Sequence, residues 1–334
     1  MISAIGRSLG VTGSVRTGID LGTSGIKLVR GSGSPRLEQV THLGVQDWVG
    51  GGSAPDVEAA AAALQQLLGR LGLGRGQLGH LAVAIGGQEA SLREVVLPPL
   101  TDAELRQTLP YAARQHLDLE GMTSPVLDAQ ILGPAPPNQP GGPAQTRALL
   151  VAAPALQRDF PVRVLARVGL VPEVVDLEPL AGLNALLGCA KMKPGNDDAV
   201  ALLDLGARRA ALHVSGSSGG LLSRVVGEGV GPRREPAEVR TFAAELASQV
   251  KETLVFYRGR FRREVGGVYL SGGGASLPGL ADLLARGLGE CPVSILDPLA
   301  GLTRAAGVME NGEGISARFA TACGLCRWWD GQLV

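Results

Sequence analysis

Aromatic residues are scarce, at 3% of the 334 positions, which excludes a surface built to stack bases or sugars. There is no charge surplus either. The 31 Lys and Arg balance 31 Asp and Glu, so no global field favours nucleic acid or an acidic membrane. No apolar run approaches the roughly 20 residues of a membrane helix. The opening nine residues lack the apolar core and cleavage site of a signal peptide. The expectation is a cytoplasmic protein with no nucleic-acid partner and no direct membrane insertion. Cysteine is limited to Cys189, Cys291, Cys323 and Cys326. Cys323 and Cys326 have the C-x-x-C spacing of redox and metal motifs. No second pair or nearby histidine pair completes a zinc set, and the flanks are apolar. They read as small core residues of a reduced compartment.

The chain does have hydrophobic residues at 45% and 49 glycines, many at element ends. That suits one large or two ordinary globular domains. A strand is predicted at 17–21 and a return strand at 26–30, joined by Gly22-Thr23-Ser24-Gly25 as a hairpin. An alanine-rich helix follows at 56–71, then strands at 81–85 and 91–97. Thr101 with Glu104 forms a capping box opening a helix, in which Pro110 predicts a kink or break. The stretch 133–143 reads as a hairpin loop. It is followed by a strand at 147–153, a helix at 154–168, a strand at 173–177 and a helix at 178–187. A polar segment at 191–198 suggests the main boundary. Beyond it lie strands at 199–205, 210–215 and 221–226, a loop at 227–236 and an amphipathic helix at 238–258. A strand at 267–270, a helix at 278–288 and a last strand at 292–296 complete the pattern. The halves echo each other. Each opens with a strand ending in Asp-Leu-Gly, at Asp20 and at Asp204, and turns into a return strand, as in a fold of two similar lobes facing a cleft.

Three segments suit phosphate chemistry. In the first hairpin, glycines let backbone amides approach a phosphate, and Thr23 and Ser24 add donors. Asp20, at the strand end, suits a magnesium ion held through water, and Lys27 suits a phosphate or an adjacent acid. Taken alone this is equally a plain hairpin. The second turn, Asp204-Leu205-Gly206, would clamp the same anion from the opposite wall, with Asp204 facing Asp20 across the metal. The third, Ser271-Gly272-Gly273-Gly274-Ala275-Ser276, lets a flat base or ribose pack on bare backbone ahead of helix amides that favour anions.

In that order the three turns are similar to the actin, hexokinase and sugar-kinase superfamily. Within it the chain resembles the PilM family of type IV pilus assembly, relatives of the division protein FtsA. The resemblance rests on Ile19 through Val29, on Leu97-Pro98 through Gln115-His116-Leu117, and on Gly169-Leu170-Val171-Pro172-Glu173-Val174-Val175-Asp176-Leu177-Glu178-Pro179-Leu180-Ala181. It also rests on Leu270 through Leu280 and on Leu296-Asp297-Pro298. It covers about residues 15–327, and the 169–181 segment is its most specific part.

The resemblance implies an α/β, actin-like fold of duplicated ribonuclease H-like lobes. The first lobe would be 15–90 with 178–192, the inserted α+β subdomain 91–177, and the second lobe 197–330 with its top subdomain reduced. It implies ATP and Mg2+ held by Asp20, Gly22, Thr23, Ser24, Gly25 and Lys27 from one side. Asp204, Gly206, Ala207 and Arg208 would hold them from the other, with Ser271, Gly272, Gly273, Gly274 and Ser276 at the adenosine end. The metal would lie on Asp20 and Asp204. It implies a scaffold at the periphery of the inner membrane and at most a slow ATPase. The partner would be the cytoplasmic tail of a PilN-like membrane protein, seated between the first lobe and the insertion, with pilus motor ATPases as further partners.

The chain departs from the family pattern in two places. Only 227–236 stand where a further subdomain is usual, and Arg208-Arg209 replace small polar residues. Either arginine neutralises a phosphate, or side chains fill a site that has lost its nucleotide. A small-molecule kinase would need a general base near the acceptor, and no segment supplies one. A type II secretion platform component would normally continue into a membrane helix. An FtsA-like filament protein would carry an amphipathic anchor, for which 326–334 is too short despite Trp328-Trp329. Arg258, Arg260, Arg262 and Arg263 suit either an acidic partner or a solvated helix end matched to its dipole. His116 and His213 read as structural.

Overall fold

The computed structural model describes residues 14–48, 56–86, 90–135, 142–189, 199–216, 219–233, 235–306, 308 and 316–330. Its first part contains β1 (Ser14–Gly22), β2 (Gly25–Gly33), β3 (Gln39–Asp47), α1 (Val57–Arg70) and β4 (His80–Ile85). Next come β5 (Ser91–Leu97), α2 (Asp102–His116), β6 (Pro125–Ala135), β7 (Gln145–Pro154), α3 (Ala155–Arg167), β8 (Val174–Leu177) and α4 (Glu178–Cys189). The remainder is β9 (Ala199–Leu205), β10 (Arg209–Gly216), β11 (Leu222–Glu228), α5 (Pro236–Phe261), β12 (Val265–Ser271), α6 (Leu280–Leu288), β13 (Val293–Ile295), β14 (Thr303–Arg304) and α7 (Ala320–Arg327).

Two sheets repeat one plan. The first runs β14-β3-β2-β1-β4-β8 and the second β11-β10-β9-β12-β13. In each, three antiparallel strands are extended by two parallel ones. The helices repeat too. α1 and α3 cover the outer face of the first sheet, packing on Ile19, Ile26, Leu28 and Val83. α5 and α6 cover the outer face of the second, packing on Leu203, Leu212, Val214 and Leu270. α4 and α7, which follow β8 and β14, pack on each other between the sheets. Strands buried on both faces read as continuous apolar runs, and Ala199 to Leu203 of β9 is one.

Local chemistry accounts for the helix ends. Asp56 caps α1 by accepting from the amides of Glu58 and Ala59, and the Thr101–Glu104 box caps α2 as the sequence predicts. Pro110 does not break α2, which runs on to His116. The Arg106 carbonyl that loses its partner lies on the exposed side of the helix, where water serves it.

The insertion is smaller than the sequence suggests. Only β5, α2, β6 and β7 form a separate unit, a sheet ordered β5-β7-β6. Ala148, Leu150 and Ala152 of β7 face α2. The alternating Leu149, Val151 and Ala153 pack with Leu180 and Leu183 of α4. β8 instead pairs with β4 in the first sheet, and α3 packs beside α1. The boundary expected at 177 therefore moves to the end of β7. Residues 303–304 and 320–327, expected in the second lobe, return to the first: β14 pairs with β3 and α7 packs on β1, β2 and β4. Hydrophobic periodicity is local and does not say which sheet a strand joins. The boundary expected at 191–198 lies outside the described residues.

The Cys323-Gly324-Leu325-Cys326 run is part of α7. Cys323 and Cys326 are buried among Val29, Val40 and Phe319. Burial pushes the Cys323 thiol up to about 12 and the Cys326 thiol further still, so neither supplies a thiolate. A Cβ on Gly324 would lie 1.7 Å from the Ala181 carbonyl oxygen, and one on Gly18 would lie 2.1 Å from that of Ala322. These glycines let α7 wedge between β1 and α4. Trp328 and Trp329 pack edge to face, their centroids 5.3 Å apart, partly buried against the core under α7.

Candidate functional site

The carboxyl ends of β1 and β8 and those of β9 and β12 bring one charged cluster together across the lobes, as strand ends do in open α/β sheets. Asp20 and Lys27 stand directly opposite each other in the first hairpin, with Lys27 Nζ 3.1 Å from Asp20 Oδ2. Gly22 pairs with Gly25 around an exposed Thr23-Ser24 tip. A Cβ on Gly22 would lie 2.3 Å from Lys27 Nζ, so glycine is what leaves the ammonium its room. The Trp48 indole braces the turn by donating to the Gly22 carbonyl at 2.9 Å.

The second hairpin carries Asp204 at the end of β9. Its turn is closed by the Gly206 amide donating to the Arg209 carbonyl at 2.9 Å. Residues 229–233, which follow β11, fold back over this turn. The amides of Val230 and Gly231 donate to the carbonyls of Gly206 and Ala207, each at 3.0 Å. The reduced connection thus serves as a brace for the hairpin.

At the third turn, the Ser271 hydroxyl donates to Asp204 Oδ1 at 3.2 Å. Gly272 has φ +78°, and a Cβ there would crowd Asp204 at 2.7 Å. Gly273 faces open space. Gly274, expected in the adenosine cradle, instead packs beneath Val230 and Leu205. Ser276 is tied back to the Gly273 carbonyl at 2.9 Å. A short 3-10 turn, Gly273–Ser276, and the residues 277–279 separate the glycines from α6, so the helix amides do not follow the glycines directly.

Glu178 was not anticipated in the cluster, and Arg209 was weighed only together with Arg208. Arg208, expected at the site, is exposed at the tip of the turn. Arg209 reaches across the lobes and forms an ion pair with Glu178, the first residue of α4. The signal for Glu178 was in the sequence: Asp176-Leu177-Glu178-Pro179 places an acid at a strand-to-helix junction. Choosing Arg209 over Arg208 requires knowing which face of β10 turns inward.

Electrostatics confirm that these groups feel one another. Burial works to lower the Lys27 pKa, but Asp20 beside it, with Asp204 and Glu178, raises it above the ordinary lysine value. Burial pushes Glu178 up to about 7 against the pull of Arg209, with Asp20 and Asp204 adding to the rise. Burial also raises Asp204, opposed by Arg209, Lys27 and the Ser271 hydroxyl. Two carboxylates suit a magnesium ion that keeps waters and takes phosphate oxygens. Among the described residues no cluster of three or more His, Cys, Asp or Glu side chains forms a metal cage.

A groove adjoins the cluster. Its walls are Leu177 and Pro179 of the first lobe, Ala90 and Leu92 beside β5 or on it, and Arg209, Ala211, His213 and Ser223–Val225 of the second lobe. His213 is buried and shares a 2.9 Å hydrogen bond with Ser223. Burial, helped by Arg209, drops its pKa to about 3, so it stays neutral, as its structural reading requires. Glu94 of β5 ties the insertion to the second lobe. It accepts from the amides of Gly220 at 2.8 Å and Leu221 at 3.0 Å and pairs with Arg147 at 3.3 Å. The basic run has partners of its own: Arg258 pairs with Glu264 at 3.5 Å, and Arg263 donates to the Gly219 carbonyl at 2.8 Å. Among the described residues no helix is long and apolar enough to cross a membrane.

The sequence matches the family model for type IV pilus assembly protein PilM over residues 18–225 and 234–327. The break in the match falls at the short connection before α5. No curated protein matches the sequence. Among solved structures, the chain is similar to a PilM-PilN type IV pilus biogenesis complex at 22% identity and TM-score 0.74, over 95% of this chain and 99% of that one. It is also similar to the ethanolamine utilization protein EutJ from Carboxydothermus hydrogenoformans at 18% identity and TM-score 0.51, over 98% of this chain and 94% of that one. The duplicated sheets and these likenesses make the fold actin-like. With the family match running through both lobes and the insertion, the chain belongs to the PilM family of type IV pilus assembly proteins.

Proposed function

We propose that this protein is a scaffold of pilus assembly that binds ATP with Mg2+ in the interlobe cleft and holds the cytoplasmic tail of a PilN-like protein, at the inner face of the inner membrane. One observation carries the nucleotide reading: Asp20 and Asp204, from equivalent turns of the two lobes, act on the same Lys27 and the same Glu178. In this reading Asp20 and Asp204 hold the metal. The turns at Gly22–Gly25 and Gly206–Arg209 cradle the phosphates with backbone amides, and Lys27 and Arg209 face phosphate oxygens. The ribose and base lie toward Ser271, Gly272 and the open surface of Gly273. A bound Mg2+ would be held by Asp20 and Asp204 and would supply neutralisation of the phosphate charge. The tail lies between the first lobe and the insertion, where an extended peptide adds to a sheet edge or fills a groove. The similarity to a PilM-PilN complex supports that choice of partner.

A second reading has its own support. The Asp20–Lys27 and Glu178–Arg209 pairs satisfy the site's charges without any ligand, as in a cleft that has filled with side chains. Titration calorimetry with Mg-ATP separates the two. Measurable binding by the wild type and loss in Asp20→Ala supports the nucleotide site, whereas no binding by either supports the filled cleft. Capture of a synthetic PilN-type tail peptide by the full chain tests the partner, and failure to capture it would overturn that reading.

A further inference from the structure

The last turns of α5 carry apolar surface that packing does not use. Val255 is 60% exposed and Phe256 46%, while Val250, Thr253 and Tyr257 on the other face of the helix are buried. From Lys251 to Arg263 the chain has five basic residues and one acid, Glu252, in a protein of zero net charge. At 3.6 residues per turn, Lys251, Arg258 and Arg262 flank Val255 on one side, and Arg260 flanks Phe256 on the other. Arg258 pairs with the exposed Glu264 at 3.5 Å, and Arg260 lies 5.4 Å from the centroid of the Phe261 ring. Among the described residues, Lys251, Arg260 and Arg262 have no ion-pair partner. Arg262 ends the helix in left-handed backbone, at φ +56°, where glycine is favoured, so a cation is kept there against the backbone's preference. We propose that this end of α5 is a peripheral membrane contact, which rests on the headgroups of an anionic bilayer and dips Val255 and Phe256 to the acyl boundary.

Cations suit the C-terminal end of a helix dipole, but the dipole gives no reason for two large apolar side chains among them. A protein partner draws most of its affinity from anchors closed into pockets, whereas Val255 and Phe256 stand out from the convex face of a helix. A fluid bilayer closes around such knobs. Basic side chains gain from the negative potential at an anionic membrane surface. Their aliphatic stems let the charged heads stay among the headgroups while the apolar tips go deeper. The exposed Glu252 and Glu264 temper the attraction, and two apolar anchors are few, so the contact is weak, reversible and confined to anionic lipid. It uses neither the nucleotide site nor the tail seat, and it stands or falls apart from both.

The test is co-sedimentation of the full chain with vesicles of equal parts phosphatidylglycerol and phosphatidylethanolamine, and with vesicles of phosphatidylcholine alone. The expected result is binding at least about tenfold stronger to the anionic vesicles, weakening as salt screens the charges. Each cation near such a surface is worth roughly fivefold in affinity, so Arg260→Gln with Arg262→Gln should weaken binding by roughly 25-fold. Val255→Ser with Phe256→Ser should weaken it by about tenfold or more through lost apolar burial. Both pairs are exposed, so both variants should keep the wild-type thermal unfolding midpoint. No preference for the anionic vesicles, or full binding retained by either double variant, overturns the proposal. A chain that ignores the vesicles but captures a polyglutamate peptide through the same two arginines would make this surface a seat for an acidic protein, which also overturns it.

Discussion

α4 and α7, packed between the two sheets, touch backbone to backbone, and Gly324→Ala tests that contact. The added methyl would lie 1.7 Å from the Ala181 carbonyl oxygen, 2.5 Å from its carbon and 3.1 Å from the Ala185 nitrogen. Carbon atoms pack at roughly 3.5–4 Å, so no rotamer change relieves the clash, and α7 must shift bodily or turn. Overpacking costs typically 1–3 kcal/mol, and an obstruction made of helix backbone belongs at the upper end. Against it stands a gain of about 1 kcal/mol from replacing a helical glycine by alanine. The net expectation is a loss of about 2 kcal/mol or more. Gly259→Ala is the matched control. It sits in α5 with nothing within 4 Å of the added Cβ, so only the gain of up to about 1 kcal/mol should appear. Thermal unfolding of the two variants should therefore move the midpoint in opposite directions. A Gly324→Ala midpoint equal to or above that of the wild type would show that α4 and α7 are not packed as described.

Asp176 is buried in β8, and one of its carboxylate oxygens has no hydrogen-bond partner; burial lifts its pKa to about 7 despite the Leu177 amide. A raised carboxyl pKa contributes stability that is full below about pH 4 and is lost as pH rises through about 7. Asp176→Asn should therefore be more stable than wild type at pH 8, by a few kcal/mol, since each tenfold change in acidity is worth about 1.4 kcal/mol. The difference should disappear near pH 4. A constant difference at every pH would refute the assignment. Glu94→Ala strands the amides of Gly220 and Leu221 and should cost about 2–4 kcal/mol, with faster hydrogen exchange at those two amides as the specific signature. Thiol reagents should leave Cys323 and Cys326 unmodified until the chain unfolds; labelling of either in native protein would mean that α7 is not seated in the core.

What could be read in the sequence was whatever has a local cause. The hairpin at 22–25, the Thr101 capping box and the periodicity of α5 each depend on residues close in the chain, and each is where the sequence placed it. β3 escaped notice because Gln39–Asp47 alternates poorly, with a largely half-buried strand as the result. α7 escaped because its apolar, glycine-bearing run is buried all round and shows no polar stripe. The two Asp-Leu-Gly turns were legible as equivalent because duplication leaves the same residues at the same strand ends. Arg209 and Glu178 were not, because they meet only through the packing of α4 against β10, which no spacing encodes.

The cluster's charges also say something about the ligand's chemistry. Asp20, Glu178 and Asp204 outnumber Lys27 and Arg209, so above pH 7, where Glu178 too is ionised, a bare polyphosphate would enter a site one charge to the acidic side. Its phosphates could reach Lys27 or Arg209 only by pulling them from their carboxylates, leaving those carboxylates unpaired beside further negative charge. A divalent cation changes the balance. With Asp20 and Asp204 turned to the metal, Lys27 is free to face phosphate oxygens, and the surplus acid is neutralised. If the nucleotide reading is right, ATP should bind at least about tenfold more weakly in excess chelator than with Mg2+, a difference of about 1.4 kcal/mol. Asp204→Asn should narrow that gap, because it removes one of the two carboxylates that make the metal necessary. Equal affinity with and without the metal would mean that Asp20 and Asp204 do not hold a cation between them.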